Sequence, residues 1–200
     1  MNNKKIILLV TLLIFHIAYS QAQIIKLENG ASFSWTNYSN KASLHYCGSI
    51  GVDYFEKSIF MLNSKISYFK RQELSNLEYF PESSVKNSIS YIEASTTARL
   101  KQPFLKGNLF IGLGPAIDFK LSSTYDINGV PQGVFKEKGE FLSEDIIFSI
   151  LSECGYFIDV KRWRFELNLS YKNNLTKIVM TRKGFISHII AASIGVGYHL

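Results

Sequence analysis

The sequence predicts an all-β chain, an eight-stranded antiparallel up-and-down transmembrane β-barrel preceded by a cleaved signal peptide. Three observations carry this reading. The chain opens on an export leader, later segments alternate apolar and polar residues with period two, and the connections between them sort into short and long.

Lys4 and Lys5 give the leader a positive start, and an apolar run extends from Ile6 to about Tyr19. Ser20-Gln21-Ala22 then sets small residues at the two positions a signal peptidase reads, with cleavage expected after Ala22. The run of roughly 14 residues is short of the ~20 that a spanning helix needs, and it contains His16. No cysteine follows it, which argues against lipid attachment at a new N-terminus. The chain therefore divides into a signal peptide, residues 1–22, and one barrel domain, residues 23–200. Loss of Lys4 and Lys5 lowers the formal charge from +6 to +4. The basic excess that remains is spread along the chain, without the stripe that nucleic-acid binding requires.

The strands follow in order. Ala31, Phe33 and Trp35 alternate with Ser32, Ser34 and Thr36. Tyr46, Ile50, Val52 and Tyr54 alternate with Cys47, Ser49, Gly51 and Asp53. Phe60, Leu62, Ile66 and Tyr68 alternate with Met61, Asn63, Lys65 and Ser67. Residues 89–100 set Ile92, Ala94, Ala98 and Leu100 against Glu93, Ser95, Thr97 and Arg99. Leu109, Ile111, Leu113, Ile117, Phe119 and Leu121 alternate with Asn108, Gly112, Gly114, Asp118 and Lys120. Residues 143–158 are apolar on both faces, so charge decides. A lipid-facing Glu153 is costly, which turns it inward with Asp145 and Ser149 and sends Ile146, Phe148, Ile150, Cys154 and Tyr156 outward. The clearest strand sets Trp163, Phe165, Leu167, Leu169 and Tyr171 against Arg164, Glu166, Asn168, Ser170 and Lys172. The last sets Ile190, Ala192, Ile194, Val196, Tyr198 and Leu200 against Ala191, Ser193, Gly195, Gly197 and His199.

Short connections fall near Glu56-Lys57, Lys101 to Lys106, and Asp159 to Arg162, and long ones at residues 71–88, 122–142 and 173–186. Short periplasmic turns with long outer loops are the asymmetry of an outer-membrane barrel. Periodicity alone does not say which face is buried, and a soluble lipocalin-like barrel with its apolar face inward stays open as the alternative. Three features favour the polar face inside. Small residues crowd the polar face of the last strand, strands of about 10–12 residues suit a tilted crossing, and aromatic residues gather near strand ends. The aromatic girdles are assigned to Trp35, Tyr54, Tyr91, Trp163, Tyr171 and Tyr198, with Tyr68, Phe119 and Tyr156 near them.

Ile89-Ser90-Tyr91-Ile92-Glu93 resembles the Y-[LI]-E-I-P strand of PorT-like bacterial outer-membrane β-barrel proteins. Gly112-Leu113-Gly114-Pro115 resembles the G-x-G-P that follows in that family, and Gly195-Val196-Gly197-Tyr198 its closing strand. Ala94-Ser95 stand where the family shows Ile-Pro. The resemblance implies a barrel of the outer membrane, in a family whose members are mostly uncharacterised and some of which serve protein secretion.

An eight-stranded interior is just wide enough for side chains to fill. Lys65, Glu93, Asp118, Glu153, Arg164 and Glu166 are the polar residues assigned to it, with Lys65 and Glu93 at similar height on adjacent strands and so able to pair across the lumen. They read first as a plug of salt bridges, because buried charges must be paired, and second as a gated polar path for a small solute. Lipid catalysis would need a nucleophile and a base in contact. Of His45, His188 and His199, none begins a His-x-Ser sequence, and Ser187 and His188 face opposite sides of a strand. No enzyme, cofactor or metal site is expected, since no His/Cys/carboxylate group has ligand spacing. Cys47 faces inward and Cys154 faces lipid on distant strands, which predicts two free thiols. Arg71, Lys136, Lys138, Lys177, Arg182 and Lys183 sit in the outer connections, where lipid phosphates or a surface partner are the charged ligands to expect. The functional expectation is a structural or interaction role in the cell envelope as an accessory to protein secretion, with outer-membrane lipid, lipopolysaccharide and an envelope or secretion protein as partners and no nucleic acid. A lipid-modifying outer-membrane enzyme and a soluble periplasmic carrier are the alternatives.

Overall fold

The computed structural model describes residues 22–36, 39–56, 59–77, 80–128, 138–140, 144–176 and 187–200. Residues 1–21, all but the last residue of the expected signal peptide 1–22, and the basic residues Lys136, Lys177, Arg182 and Lys183 lie outside the described residues.

The period-two segments form strands β1 (Ala22–Thr36), β2 (Ser39–Tyr54), β3 (Phe60–Leu77), β4 (Phe80–Phe104), β5 (Gly107–Asn128), β6 (Lys138–Glu140), β7 (Ile146–Val160), β8 (Trp163–Asn174) and β9 (Ser187–His199). Each pairs antiparallel with its neighbours in the order β4-β3-β2-β1-β9-β8-β7-β5, and β4 pairs with β5 to close the ring. Closure matters because an open edge within lipid leaves backbone groups without partners. β6 stands outside the ring of eight and adds three residues to the upper part of β5.

Three short turns mark one end of the barrel: residues 55–59 between β2 and β3, Leu105-Lys106 between β4 and β5, and Lys161-Arg162 between β7 and β8. Each carries a non-glycine residue in the left-handed region: Phe55 (φ 52°), Leu105 (φ 51°) and Lys161 (φ 56°). The opposite end is taller than the sequence suggests. Residues 71–88, expected as a loop, continue the ladder from Arg71 opposite Ile89 to Leu77 opposite Phe80. Likewise β5 runs on to Asn128, paired with Ser84. The strands accordingly span 12 residues in β8 but 25 in β4, longer than the expected 10–12. Apolar alternation stops where lipid stops, whereas backbone hydrogen bonding has no such limit, so the extension carries no periodic signal.

On the β2 side that extension is not joined to its neighbour. The β2–β3 ladder ends at Cys47 opposite Phe69, while β2 goes on pairing with β1 to Ser39 and β3 with β4 to Leu77. Above that point the two hairpins part.

The barrel is built inside out relative to a soluble one. Leu27, Ile111, Leu167 and Ile194 are more than half exposed on its outer face, while Lys26, Arg99 and Arg164 inside are fully buried. This arrangement removes the soluble-carrier reading, which requires the apolar face inward.

Candidate functional site

The interior is layered. Next to the turns lies an apolar floor of Met61, Phe110 and Phe157, contributed by β3, β5 and β7. The Arg99 guanidinium lies 4.3 Å from the Phe110 ring centre and that of Arg164 lies 3.8 Å from Phe157, so the floor's π faces meet the first cations of the next layer.

That layer is a continuous ion-pair network. Arg99 grips Glu153 through Nε to Oε1 at 2.6 Å and Nη2 to Oε2 at 2.9 Å, and its Nη1 donates to Glu166 at 2.9 Å. Lys26 Nζ lies 2.8 Å from Glu166, 3.1 Å from Asp53 and 3.6 Å from Glu28. Lys65 Nζ stands 3.6 Å from Glu153 and 3.7 Å from Glu28. Arg164 bonds Asp53, then reaches Glu56 and Asp159 at the rim. Asn63 and Asn168 donate to Asp53 and Glu153, filling remaining acceptor sites. Higher up, Lys172 Nζ lies 2.8 Å from Glu93 and 2.9 Å from Asp118. Glycines on this face make the room. A Cβ on Gly112 would sit 2.9 Å from the Glu153 Cγ and 3.0 Å from the Arg99 Cγ.

Above Lys172 the lumen turns apolar again. Phe69, Ile89, Tyr91, Ile147 and Ile189 form a cap, with Lys172 Nζ 3.6 Å from the Phe69 ring centre and Tyr91 stacked on Phe69 at 5.4 Å. Between network and cap a cavity of about 60 Å³ remains, bordered by Glu28, Lys65, Glu93 and Cys47. That is room for a few waters and not for a through-going channel. The buried cations Lys26, Lys65, Arg99, Arg164 and Lys172 face the buried anions Glu28, Asp53, Glu93, Asp118, Glu153 and Glu166, a near balance. An interior so paired has little unmet charge with which to attract an ion.

The structure places Lys65, Glu93, Asp118, Glu153, Arg164 and Glu166 all in this interior. It does not pair Lys65 with Glu93. Lys65 stands opposite Ser95 and Glu93 opposite Ser67, two residues out of register, and each has nearer partners from across the lumen. Lys26 and Glu28 are missing from the sequence reading, whereas Asp53, Arg99 and Lys172 lie on the faces it read as polar without being named in the network. The first two were lost by starting β1 at Ala31, although Ile25-Lys26-Leu27-Glu28 already alternates. Asp145, expected inward, sits half exposed at the upper rim, 2.9 Å from Lys120.

Two girdle assignments are corrected. Tyr91 is fully buried in the cap, because it shares the face of Glu93 and Arg99 on β4. Tyr54 keeps the outer face but lies along the sheet, 8% exposed, with its hydroxyl 3.0 Å from Ser64. The other four gather in two clusters. Trp163 meets Tyr198 edge to face at 5.2 Å near the turns, and His188 is stacked between Trp35 and Tyr171 near the loops. His188 shares a hydrogen bond with the Tyr171 hydroxyl at 2.8 Å, and His199 one with Asp159 at 3.2 Å. Cys47 inside and Cys154 outside are free thiols.

No family model matches the chain, and no curated protein matches it. Solved structures do. Neisserial surface protein A aligns with a TM-score of 0.58 at 10% identity, covering 88% of this chain and 96% of its own. The outer membrane protein OprG from Pseudomonas aeruginosa aligns with a TM-score of 0.56 at 10% identity, covering 90% and 97%. The fold is that of an outer-membrane β-barrel. With its apolar face turned outward, the chain resides in a bacterial outer membrane.

Proposed function

We propose that this barrel is a non-conducting, non-enzymatic member of the PorT-like group that serves protein secretion as an envelope accessory, working through the wall it raises above the membrane. The observation that carries the reading is the combination of a sealed lumen with two hairpins that rise above it and part from each other. Ion pairs fill the middle of the lumen and apolar side chains close both ends, so no solute path supplies a function. Meanwhile the β1–β2 and β3–β4 hairpins both rise past the point where β2 and β3 stop pairing, and the parting of β2 from β3 leaves strand edges there. Such edges accept an added strand from a partner polypeptide. Lipopolysaccharide phosphates are the second ligand, with Arg71 on β3 and Lys138 on β6 as the basic residues to meet them.

The test is a secretion assay in a deletion strain complemented with a shortened barrel, in which a two-residue turn replaces residues 73–86. The shortened protein retains its heat-dependent gel shift but fails to restore secretion, and the full chain shows no current in planar bilayers. Normal secretion with the shortened barrel, or a steady conductance from the full chain, would reject the proposal.

A further inference from the structure

Asn29 occupies a position that lipid does not satisfy. On β1 the inward residues are Lys26, Glu28, Ser32 and Ser34, which puts Asn29 outward in line with Leu27 and Ala31, and its side chain is exposed. Its depth follows from the girdles. Tyr198 of the lower cluster stands opposite Ile25, and His188 of the upper one opposite Trp35. Asn29 therefore lies about 13 Å of strand from the first and about 20 Å from the second, in the hydrocarbon core.

Its neighbours along and across the sheet are Leu27, Ala31, Gly48 and Ile194, which offer no polar side-chain atom, and the one hydroxyl nearby is that of Tyr46, whose ring lies over Gly48. Among the described residues none hydrogen-bonds its carboxamide. The other outward carboxamides with described side chains, Gln23, Gln102 and Asn173, stand at strand ends. The outward hydroxyls Ser64 and Thr96 bond each other at 2.7 Å. A carboxamide left bare in hydrocarbon costs several kcal/mol, and polar residues at such depth mark places where something else binds.

We infer that Asn29 is the centre of a membrane-embedded self-association surface at which a second copy of this chain docks through a carboxamide pair. A carboxamide holds a donor and an acceptor side by side, so two copies related by a two-fold axis complete each other with two N–H···O bonds. Both copies share one orientation in the membrane, so the axis lies along the membrane normal and brings β1 against β1. The flanks fit a close approach. Ala31 adjoins Asn29, Ala192 stands opposite Ala31, the Tyr46 ring covers Gly48 on the β2 side, and Leu27 and Ile194, 61% and 64% exposed, form shoulders around them. Lipid headgroups cannot serve instead, since their phosphates and carbonyls lie at girdle depth. A different protein would need its own polar group at this level, whereas a second copy brings one by symmetry.

The experiment uses the full chain reconstituted in phosphatidylcholine bilayers, with donor- and acceptor-labelled copies mixed and energy transfer followed against protein-to-lipid ratio. Wild-type protein associates. Asn29→Leu and Asn29→Ala weaken association at least tenfold while keeping the heat-dependent gel shift of a folded barrel, and Asn29→Gln restores part of it. In a Cys47→Ser/Cys154→Ser background, Asn29→Cys oxidises to a disulfide-linked dimer. Leu113→Cys, on β5 at the opposite side of the ring, does not. Monomeric wild-type protein at every ratio, undiminished association of both Asn29 variants, or equal cross-linking through Leu113→Cys would each overturn the inference.

Discussion

Arg99 and Glu153 meet in a two-pronged ion pair in the middle of the lumen, on β4 and β7, strands that the ring separates by β5. Thr97 also donates to Glu153, and Glu166 accepts from the third guanidinium nitrogen of Arg99. The pair therefore ties β4 to β7 across the face of β5, through a space from which water is nearly excluded. Such a contact is worth little relative to an apolar pair of the same volume, because desolvation offsets attraction, but it is costly to break halfway.

That asymmetry gives the first prediction. Arg99→Met leaves Glu153 buried with its main partner gone, and destabilises the barrel by about 3–5 kcal/mol. Arg99→Met combined with Glu153→Leu destabilises it by clearly less than either single change. Urea unfolding in lipid vesicles, followed by tryptophan fluorescence and the gel shift, measures all three. Additive losses in the double variant would mean that the two side chains act independently.

A second prediction contrasts two glycines. At Gly112 a methyl group would press on the Cγ atoms of Glu153 and Arg99, both fixed by the network. At Gly48, on the outer face, the nearest atom is the Tyr46 hydroxyl at 3.1 Å, the free end of a flexible side chain. Gly112→Ala lowers unfolding free energy by about 1–3 kcal/mol through overpacking, and Gly48→Ala changes it by less than about 0.5 kcal/mol. Equal effects in the same urea titration would show that the network relaxes around the added carbon.

How far the sequence disclosed all this depends on which physical signal each residue leaves. Strand parity is a strong signal wherever one face meets lipid, and it put Glu153, Arg164 and Glu166 on the inner face without any knowledge of partners. Partners are a different matter, because they are set by how far the strands shift around the ring. Lys65 and Glu93 lie on adjacent strands, yet their partners are Glu28 and Lys172, from β1 and β8. Tyr91 was misplaced by residue type alone, although its parity with Glu93 already pointed inward. The tall β3–β4 hairpin left no trace, since outside lipid a strand needs no alternation to keep its ladder. The lumen's apolar floor and cap were equally silent, because Phe110 and Phe69 sit on faces read as polar.

The turns supply a third prediction. Leu105 holds φ at 51° and is almost wholly exposed, so it contributes little packing to set against the strain of a left-handed side chain. That strain is about 1–2 kcal/mol, and glycine relieves it at the cost of a more flexible unfolded chain. Leu105→Gly accordingly raises stability by up to about 1 kcal/mol, whereas Leu105→Val, branched at Cβ, lowers it. Reversible unfolding in vesicles resolves the sign. A loss of stability with glycine would mean that the leucine makes contacts with lipid that outweigh its backbone strain.

The last prediction concerns the cap. Phe69 and Tyr91 stack across β3 and β4 directly over Lys172, and with Ile89, Ile147 and Ile189 they close the loop side of the lumen. Phe69→Ala with Tyr91→Ala removes both rings and joins the cavity beneath to the outside. The floor of Met61, Phe110 and Phe157 still blocks the turn side, so the variant passes no steady current in planar bilayers. It does expose the lumen, so a water-soluble maleimide that reacts slowly with Cys47 in the native barrel labels it at least tenfold faster. Adding Phe110→Ala and Phe157→Ala to the same chain opens the turn side as well, and the ion-pair network between the two layers still blocks conductance. Current through the cap variant alone would place the barrier of this lumen in one layer, and unchanged Cys47 labelling would show that the cap is not what shields the thiol.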